Sequence, residues 1–165
     1  MIKTIEFDGE KYPFYQSTGF ASRFAFPFAE EVCFGQGLDI GCNRHEWKFK
    51  NAFPVDPQMN EYDAHNLPSR PQGWDYIFSS HCLEHLVDWV NVLNIWRDAL
   101  RSGGVLFLYL PHPDQKYWLP YNNRKHVNIL HPADIERYLQ KNGFTNVFVS
   151  ERDLNHSFMA IAEKI

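Results

Sequence analysis

The sequence predicts an α/β fold: a mostly parallel sheet with flanking helices and an antiparallel strand or pair of strands at the C-terminal end. Three observations carry this expectation. Short apolar segments bounded by glycine, aspartate, serine or proline alternate with segments of helical periodicity. The run Val105-Leu-Phe-Leu-Tyr-Leu110 is apolar without alternation, as in a strand covered on both faces. Two further strand-like runs, Phe144 to Val149 and Phe158 to Ala162, follow the last helical segment and close the chain.

The elements follow in order. From Thr18 to Val32, Phe20, Phe24 and Phe28 recur at four-residue steps, which predicts a helix that Pro27 bends or breaks. Gly37-Leu-Asp-Ile-Gly41 reads as a buried strand ending in a tight turn, and Ala52-Phe-Pro-Val55 as a second strand. Asp75-Tyr-Ile-Phe-Ser-Ser80 is a third. It leads to a helix whose apolar stripe is Trp89, Leu93, Trp96 and Leu100, with Asp88 as N-cap and Gly103 as stop. Pro111 ends the fourth strand, Val105 to Leu110. Pro132 at a first helical position, then Ile135, Tyr138 and Leu139, then Gly143, predict a last helix of about three turns.

Composition bounds the function. At 165 residues the expectation is one domain, 1-165, with an N-terminal lid or helix segment (1-34), a core (37-111) and a C-terminal part (112-165). Hydrophobic residues at 44% and charged residues at 22% exclude a disordered or fibrous chain. Sixteen basic against twenty acidic side chains give a net charge of -4, which argues against nucleic acid and for a small-molecule partner. No apolar run approaches the roughly 20 residues that span a bilayer. Cys33, Cys42 and Cys82 are odd in number and lack CxxC spacing, so a disulfide framework is not expected and a cytoplasmic location is.

In an open α/β sheet the ligand-binding residues follow the strands. Gly41 would let backbone and ligand approach closely, but Gly41-Cys-Asn-Arg-His-Glu46 lacks the later glycines of a dinucleotide loop. Asp56 stands after the second strand, where a ribose diol needs an acceptor.

Four segments in order carry a resemblance: Gly37-Leu-Asp-Ile-Gly-Cys42, Val55-Asp-Pro57 with Asp63-Ala-His-Asn-Leu-Pro68, Asp75 to Leu86, and Leu100-Arg-Ser-Gly-Gly-Val-Leu106 running to Pro111. Together they resemble the class I S-adenosylmethionine-dependent methyltransferases, in the short type 11-like form often encoded beside sugar-modifying enzymes. The resemblance implies a pared-down Rossmann-like fold, with 37-111 as the S-adenosylmethionine-binding core and 112-165 carrying a substrate loop, late helix and closing strands. It implies that Asp39, Gly41 and Cys42 face the methionine end of the cofactor, that Asp56 takes the ribose hydroxyls, and that Asp63, Ala64 and His65 read the adenine. Ser79, Ser80 and His81 would close the pocket near the sulfonium. The sequence departs from the family in a short Asp39 to Asp56 interval, which predicts a stunted first crossover, and in an Asp56 to Asp63 interval too short for a helix or a full strand.

The expected reaction is methyl transfer to an oxygen or nitrogen of a small-molecule acceptor, such as a sugar. His81 is the first candidate base and His112 the second. Tyr117, Trp118, Arg124 and His126 form an aromatic and basic loop that either grips the acceptor or is ordinary solvated surface. Tyr12, Phe14, Tyr15 and Arg23 are candidates for a lid. Two other readings stand beside this one. His81-Cys-Leu-Glu-His85 matches the H-x-x-E-H pattern of a zinc hydrolase, with Glu136 or Glu151 as a distant ligand; the bland alternative is a strand end where Glu84 and His85 cap the chain. The other is a non-catalytic binding module that keeps the fold. No metal is expected on the methyltransferase reading.

Overall fold

A computed structural model describes residues 3–165. A hairpin opens the chain, β1 (Thr4–Phe7) against β2 (Glu10–Pro13), followed by α1 (Phe14–Ser17) and α2 (Ser22–Ala29). Then come β3 (Gly37–Ile40), β4 (Phe53–Val55), β5 (Trp74–Ser80), α3 (Trp89–Ala99), β6 (Leu100–Pro111), α4 (Pro132–Lys141), β7 (Phe144–Val149) and β8 (Ser157–Lys164). The last six strands form one sheet in the order β4-β3-β5-β6-β8-β7. Pairing is parallel from β4 to β6 and antiparallel for β6 with β8 and β8 with β7.

The non-alternating strands are explained by two covered faces. On β5 and β6, Ile77, Leu106, Leu108 and Leu110 point to one side, where Leu93 and Trp96 of α3 and Ile135 and Leu139 of α4 pack on them. Tyr76, Phe78, Phe107 and Tyr109 point to the other side, against Ala21, Ala25 and Ala29. The sheet is thus aliphatic on one face and aromatic on the other. Phe49, Phe78 and Phe107 stack in a row, with centroids 4.9 and 5.4 Å apart.

Four local expectations are corrected. The helix near residue 20 spans only Ser22–Ala29, and its buried face is the alanine row; Phe28 is 54% exposed. Small side chains let this helix sit close to the aromatic rings, so the alanines carry the contact that the phenylalanines were expected to make. Asp88 precedes α3 but makes no side-chain cap; it binds the His65 ring at 2.9 Å and accepts from the Asn91 side chain. The helix ends at Ala99 because Leu100 turns extended and pairs with Trp74. Gly103, at φ +71°, serves the bulge that lets β6 resume pairing at Val105, and stops no helix. Trp89 is only partly buried at the edge of the aliphatic core.

The crossover between β3 and β4 is a single 3-10 turn, His45–Trp47, in keeping with the short interval. No helix or strand lies between Asp56 and Gly73. No helix among the described residues is long and apolar enough to cross a membrane. Cys33, Cys42 and Cys82 are free thiols.

Candidate functional site

The chain reverses its direction of travel across the sheet between β3 and β5, and a crevice opens outside the strand C-termini at such a point. A cleft of about 1050 Å³ lies there. Its floor is made by the ends of the strands: Ile40 and Gly41 after β3, Val55 and Asp56 after β4, Ser80 and His81 after β5. One wall is Asp63, Ala64 and His65; the segment from Gln16 to Gly19 and the loop carrying Tyr117, Trp118 and His126 form the others.

Asp56 is buried, yet its carboxylate borders the cleft. Oδ2 accepts from the Asn43 N–H at 2.8 Å and Oδ1 from the Gln58 N–H at 2.9 Å. Each oxygen keeps a lone pair free, so the group can still accept two hydroxyls. Asp63 Oδ1 accepts from the His65 and Asn66 N–H groups, a turn that fixes the wall; the Ala64 carbonyl is engaged by the Trp96 indole at 2.8 Å. Gly41 has φ +82°, and a Cβ there would lie 2.7 Å from both Cβ and Sγ of Cys82. Close approach of Cys82 is therefore what requires glycine at this position.

His81 sits at the tip of β5 with φ +50°, a conformation rare for a residue with a side chain and costly to hold. Its amide donates to the Tyr109 carbonyl, and its Nε2 lies 3.0 Å from Ser157 Oγ. Burial, with smaller contributions from His126 and His85, pushes its pKa down to about 3. The imidazole is neutral at pH 7. Trp118 stacks on His126 and meets His81 edge-on, so an aromatic wall and three imidazoles (His81, His85 and His126) border one end of the cleft. Buried polar atoms without a protein partner include Gln16 Oε1, Ser80 Oγ and Trp118 Nε1, and all three residues line the cleft. An unpartnered buried polar atom costs about 1–3 kcal/mol, and these three lie just beneath the cleft surface, where a ligand reaches them only if the lining shifts.

The structure does not bring every expected residue to the cleft. Asp39 lies behind the floor, its Oδ2 accepting from the Phe49 N–H at 2.7 Å, and burial raises its pKa to about 7. Cys42 is buried with Sγ 3.4 Å from Met59 Sδ; Ser79 donates its hydroxyl to the Ile40 carbonyl. Both stiffen the floor from beneath. His112 is turned outward at the end of β6, 2.6 Å from Asp114, beside a separate depression that also holds Glu136 and Glu151. His112 therefore lies outside the cleft lining, against its expected place as a base, and both glutamates border this separate depression and not the cleft beside H-x-x-E-H. The zinc hydrolase arrangement is therefore not assembled. Arg124 is exposed and outside the lining. Glu84 caps nothing: it is buried with both carboxylate oxygens unpartnered.

The lid expectation is also displaced. Arg23 stacks on Tyr15, 3.8 Å from the ring centroid, and neither lines the cleft; Tyr12 is fully buried against Tyr117 and His156. Phe7 and the Gln16 to Gly19 turn border the opening instead. Gln16, Asn43 and Gln58 are not legible in the sequence, because single amides in loops or in a helix of one turn carry no periodic signal.

The methyltransferase domain profile matches residues 18–149. The chain belongs to the methyltransferase domain family. No curated protein matches this methyltransferase. Solved structures show its fold. An S-adenosylmethionine-dependent methyltransferase of Archaeoglobus fulgidus superposes with a TM-score of 0.66 at 17% identity, over 92% of this chain and 95% of that one. One from Thermotoga maritima gives 0.70 at 15%, over 92% and 93%. A Haemonchus contortus phosphoethanolamine N-methyltransferase, in complex with phosphomonomethylethanolamine and S-adenosylhomocysteine, gives 0.61 at 15%, over 92% of this chain and 53% of that one.

Proposed function

We propose that this methyltransferase transfers the methyl group of S-adenosylmethionine to an oxygen or nitrogen of a small-molecule acceptor, with a sugar among the acceptors to test first. The observation that carries the reading is the cleft at the strand switch point, with Asp56 at the end of β4 and unpartnered polar atoms of Gln16, Ser80 and Trp118 around it. Its volume, about 1050 Å³, is at the top of the range for small-molecule sites, so cofactor and a small acceptor fit together.

The cofactor, when bound, supplies an electrophilic methyl group. Asp56 would accept the ribose hydroxyls, the Asp63 to His65 wall would hold the adenine, and the Gly41 turn and Ser80 would border the methionine end. Asp39, Cys42 and Ser79, expected at that end, act from beneath by holding β3 and its turn in place. Tyr117, Trp118 and His126 would orient the acceptor and exclude water, which raises the share of encounters in attack geometry. His81, at the strand tip bordering the cleft, is the proposed base that takes the acceptor proton; burial lowers its pKa to about 3 in the free protein, so the role requires that bound cofactor and acceptor raise it. The unit 1-165 works as one domain on this reading, and its three free thiols suit a reducing, cytoplasmic compartment.

Calorimetric titration with S-adenosylhomocysteine tests the cofactor site: saturable one-to-one binding is expected, and its absence from folded protein would overturn the reading. For the base, His81→Ala should lose turnover and change the pH profile; full turnover with an unchanged profile would refute the assignment.

A further inference from the structure

Behind the aromatic wall lies a cluster of which the proposed methyl transfer uses only the ring of His126 and leaves Glu84 and His85 without a role. Glu84 is 1% exposed and both its carboxylate oxygens lack a partner. His85 Nε2 lies 3.9 Å and His126 Nε2 3.8 Å from Glu84 Oε1, and one ligand atom from each of the three residues can be chosen so that all lie within 4.8 Å of one another. His81 Nδ1 is 3.7 Å from the same oxygen. We propose that Glu84, His85 and His126 hold a divalent transition-metal ion of the zinc class, with the remaining coordination position open to the acceptor end of the cleft.

Four observations support the site. A carboxylate and two imidazoles are zinc ligands of the right type and number for a centre that keeps one position open. Metal–ligand bonds of about 2.0–2.1 Å in a tetrahedron place ligand atoms about 3.4 Å apart, so the two Glu84–histidine separations need to close by about 0.5 Å and no separation in the set by more than about 1.4 Å. The imidazoles are oriented from outside: His85 Nδ1 lies 2.7 Å from the Lys125 carbonyl, where it donates and leaves Nε2 free toward Glu84. The loop that delivers His126 is tied to the same turn, since the Val127 and Asn128 amides both donate to the Glu84 carbonyl at 2.9 and 3.1 Å.

A buried carboxylate without a cation is costly, and both Glu84 oxygens lack a hydrogen-bond partner; a divalent ion there would compensate them. Because His85 and His126 line the cleft, an acceptor hydroxyl or carboxylate oxygen can take the open position.

The test uses the full chain after chelator treatment, titrated with cobalt(II) and followed by visible absorption, then displaced by zinc(II). One equivalent with low-symmetry cobalt bands is expected. Glu84→Gln and, separately, the less buried His85→Ala should each weaken binding at least about 100-fold, while His45→Ala, an exposed histidine elsewhere, leaves it unchanged. Absence of saturable binding in natively folded parent protein overturns the proposal. So does equal affinity in parent and His85→Ala, whether or not Glu84→Gln folds. The readout contains no cofactor, so failure of metal binding and failure of the S-adenosylhomocysteine titration are separately observable.

Discussion

Replacing Asp56 by alanine probes the floor of the cleft most directly. Two backbone amides, of Asn43 and Gln58, donate to this carboxylate at 2.8 and 2.9 Å, and the residue is 7% exposed. Hydrogen bonds to a charged group contribute about 1.5–3 kcal/mol each before water compensates the freed donors. Some compensation is open here because Asp56 borders an open cleft that water can enter, so a loss of about 2–4 kcal/mol is expected, equivalent to a fall in Tm of about 4–16 °C for a chain of this size. Binding should suffer separately. Loss of two hydroxyl contacts to the carboxylate removes about 3 kcal/mol, or about 100-fold in Kd for S-adenosylhomocysteine. Calorimetry well below the variant's Tm isolates the second effect, and Asp56→Asn, which keeps one carbonyl acceptor, should fall between. A folded Asp56→Ala protein with a Kd within threefold of the parent would refute the ribose assignment, whatever its Tm.

Three further outcomes are expected. Burial raises Asp39 to about 7, above the ordinary carboxylate value, so the folded state binds a proton that the unfolded state has already released, and stability falls as pH rises from about 4 through 7; urea unfolding at pH 5, 7 and 8 should show a flatter profile for Asp39→Asn, and a pH-independent difference between the two proteins would contradict this. Gly41→Ala combines φ +82° with a Cβ 2.7 Å from Cys82, and should cost about 2–5 kcal/mol; chemical unfolding of Gly41→Ala with and without Cys82→Gly should recover the crowding share, and no recovery would point to backbone strain alone. Ser80→Ala removes a hydroxyl with no protein partner, so Tm should stay within about 2 °C while the Kd for S-adenosylhomocysteine rises about 2–12-fold; an unchanged Kd would take Ser80 out of the site.

The strands are legible in the sequence because glycine, aspartate and proline punctuate apolar runs, and the β3 turn and β5 end fall where chain and cleft meet. Helix faces are less so. Phe20, Phe24 and Phe28 form as regular a stripe as Ala21, Ala25 and Ala29, and only the bulk of Phe49, Phe78 and Phe107 on the facing sheet decides that the alanines turn inward. Asp88 has the residue type of a cap, yet His65, 23 positions away in sequence, takes its carboxylate. His112 follows a strand as a catalytic residue would, but β6 runs past the cleft and pairs with β8 to its last residue, which points the histidine away. Glu84 belongs to a motif whose spacing suggests two histidines on one helical turn. The segment Leu83–His85 is instead a 3-10 turn, and the second imidazole beside Glu84, along with that of His85, comes from His126, a contact no local spacing announces.

The shortened connections make sense together. With one 3-10 turn between β3 and β4 and no regular element between Asp56 and Gly73, the sheet end on the Asp56 side of the cleft has little of its own to close it. Closure comes from the N-terminal hairpin and from the loop between β6 and α4. Tyr12, fully buried, packs on Tyr117, and its hydroxyl accepts from the Lys116 amide at 3.1 Å, so the N-terminal hairpin supports the loop that carries Trp118. Trp118 stacks on His126, and the amides after His126 are pinned to Glu84. A continuous line of contacts therefore runs from the hairpin across the cleft mouth to the turn after β5, where His81 holds its strained backbone. Strain of that kind persists only when its surroundings fix it. Loosening the hairpin at Tyr12 should thus be felt at His81, because the aromatic side chains along this line brace the His81 end of the cleft.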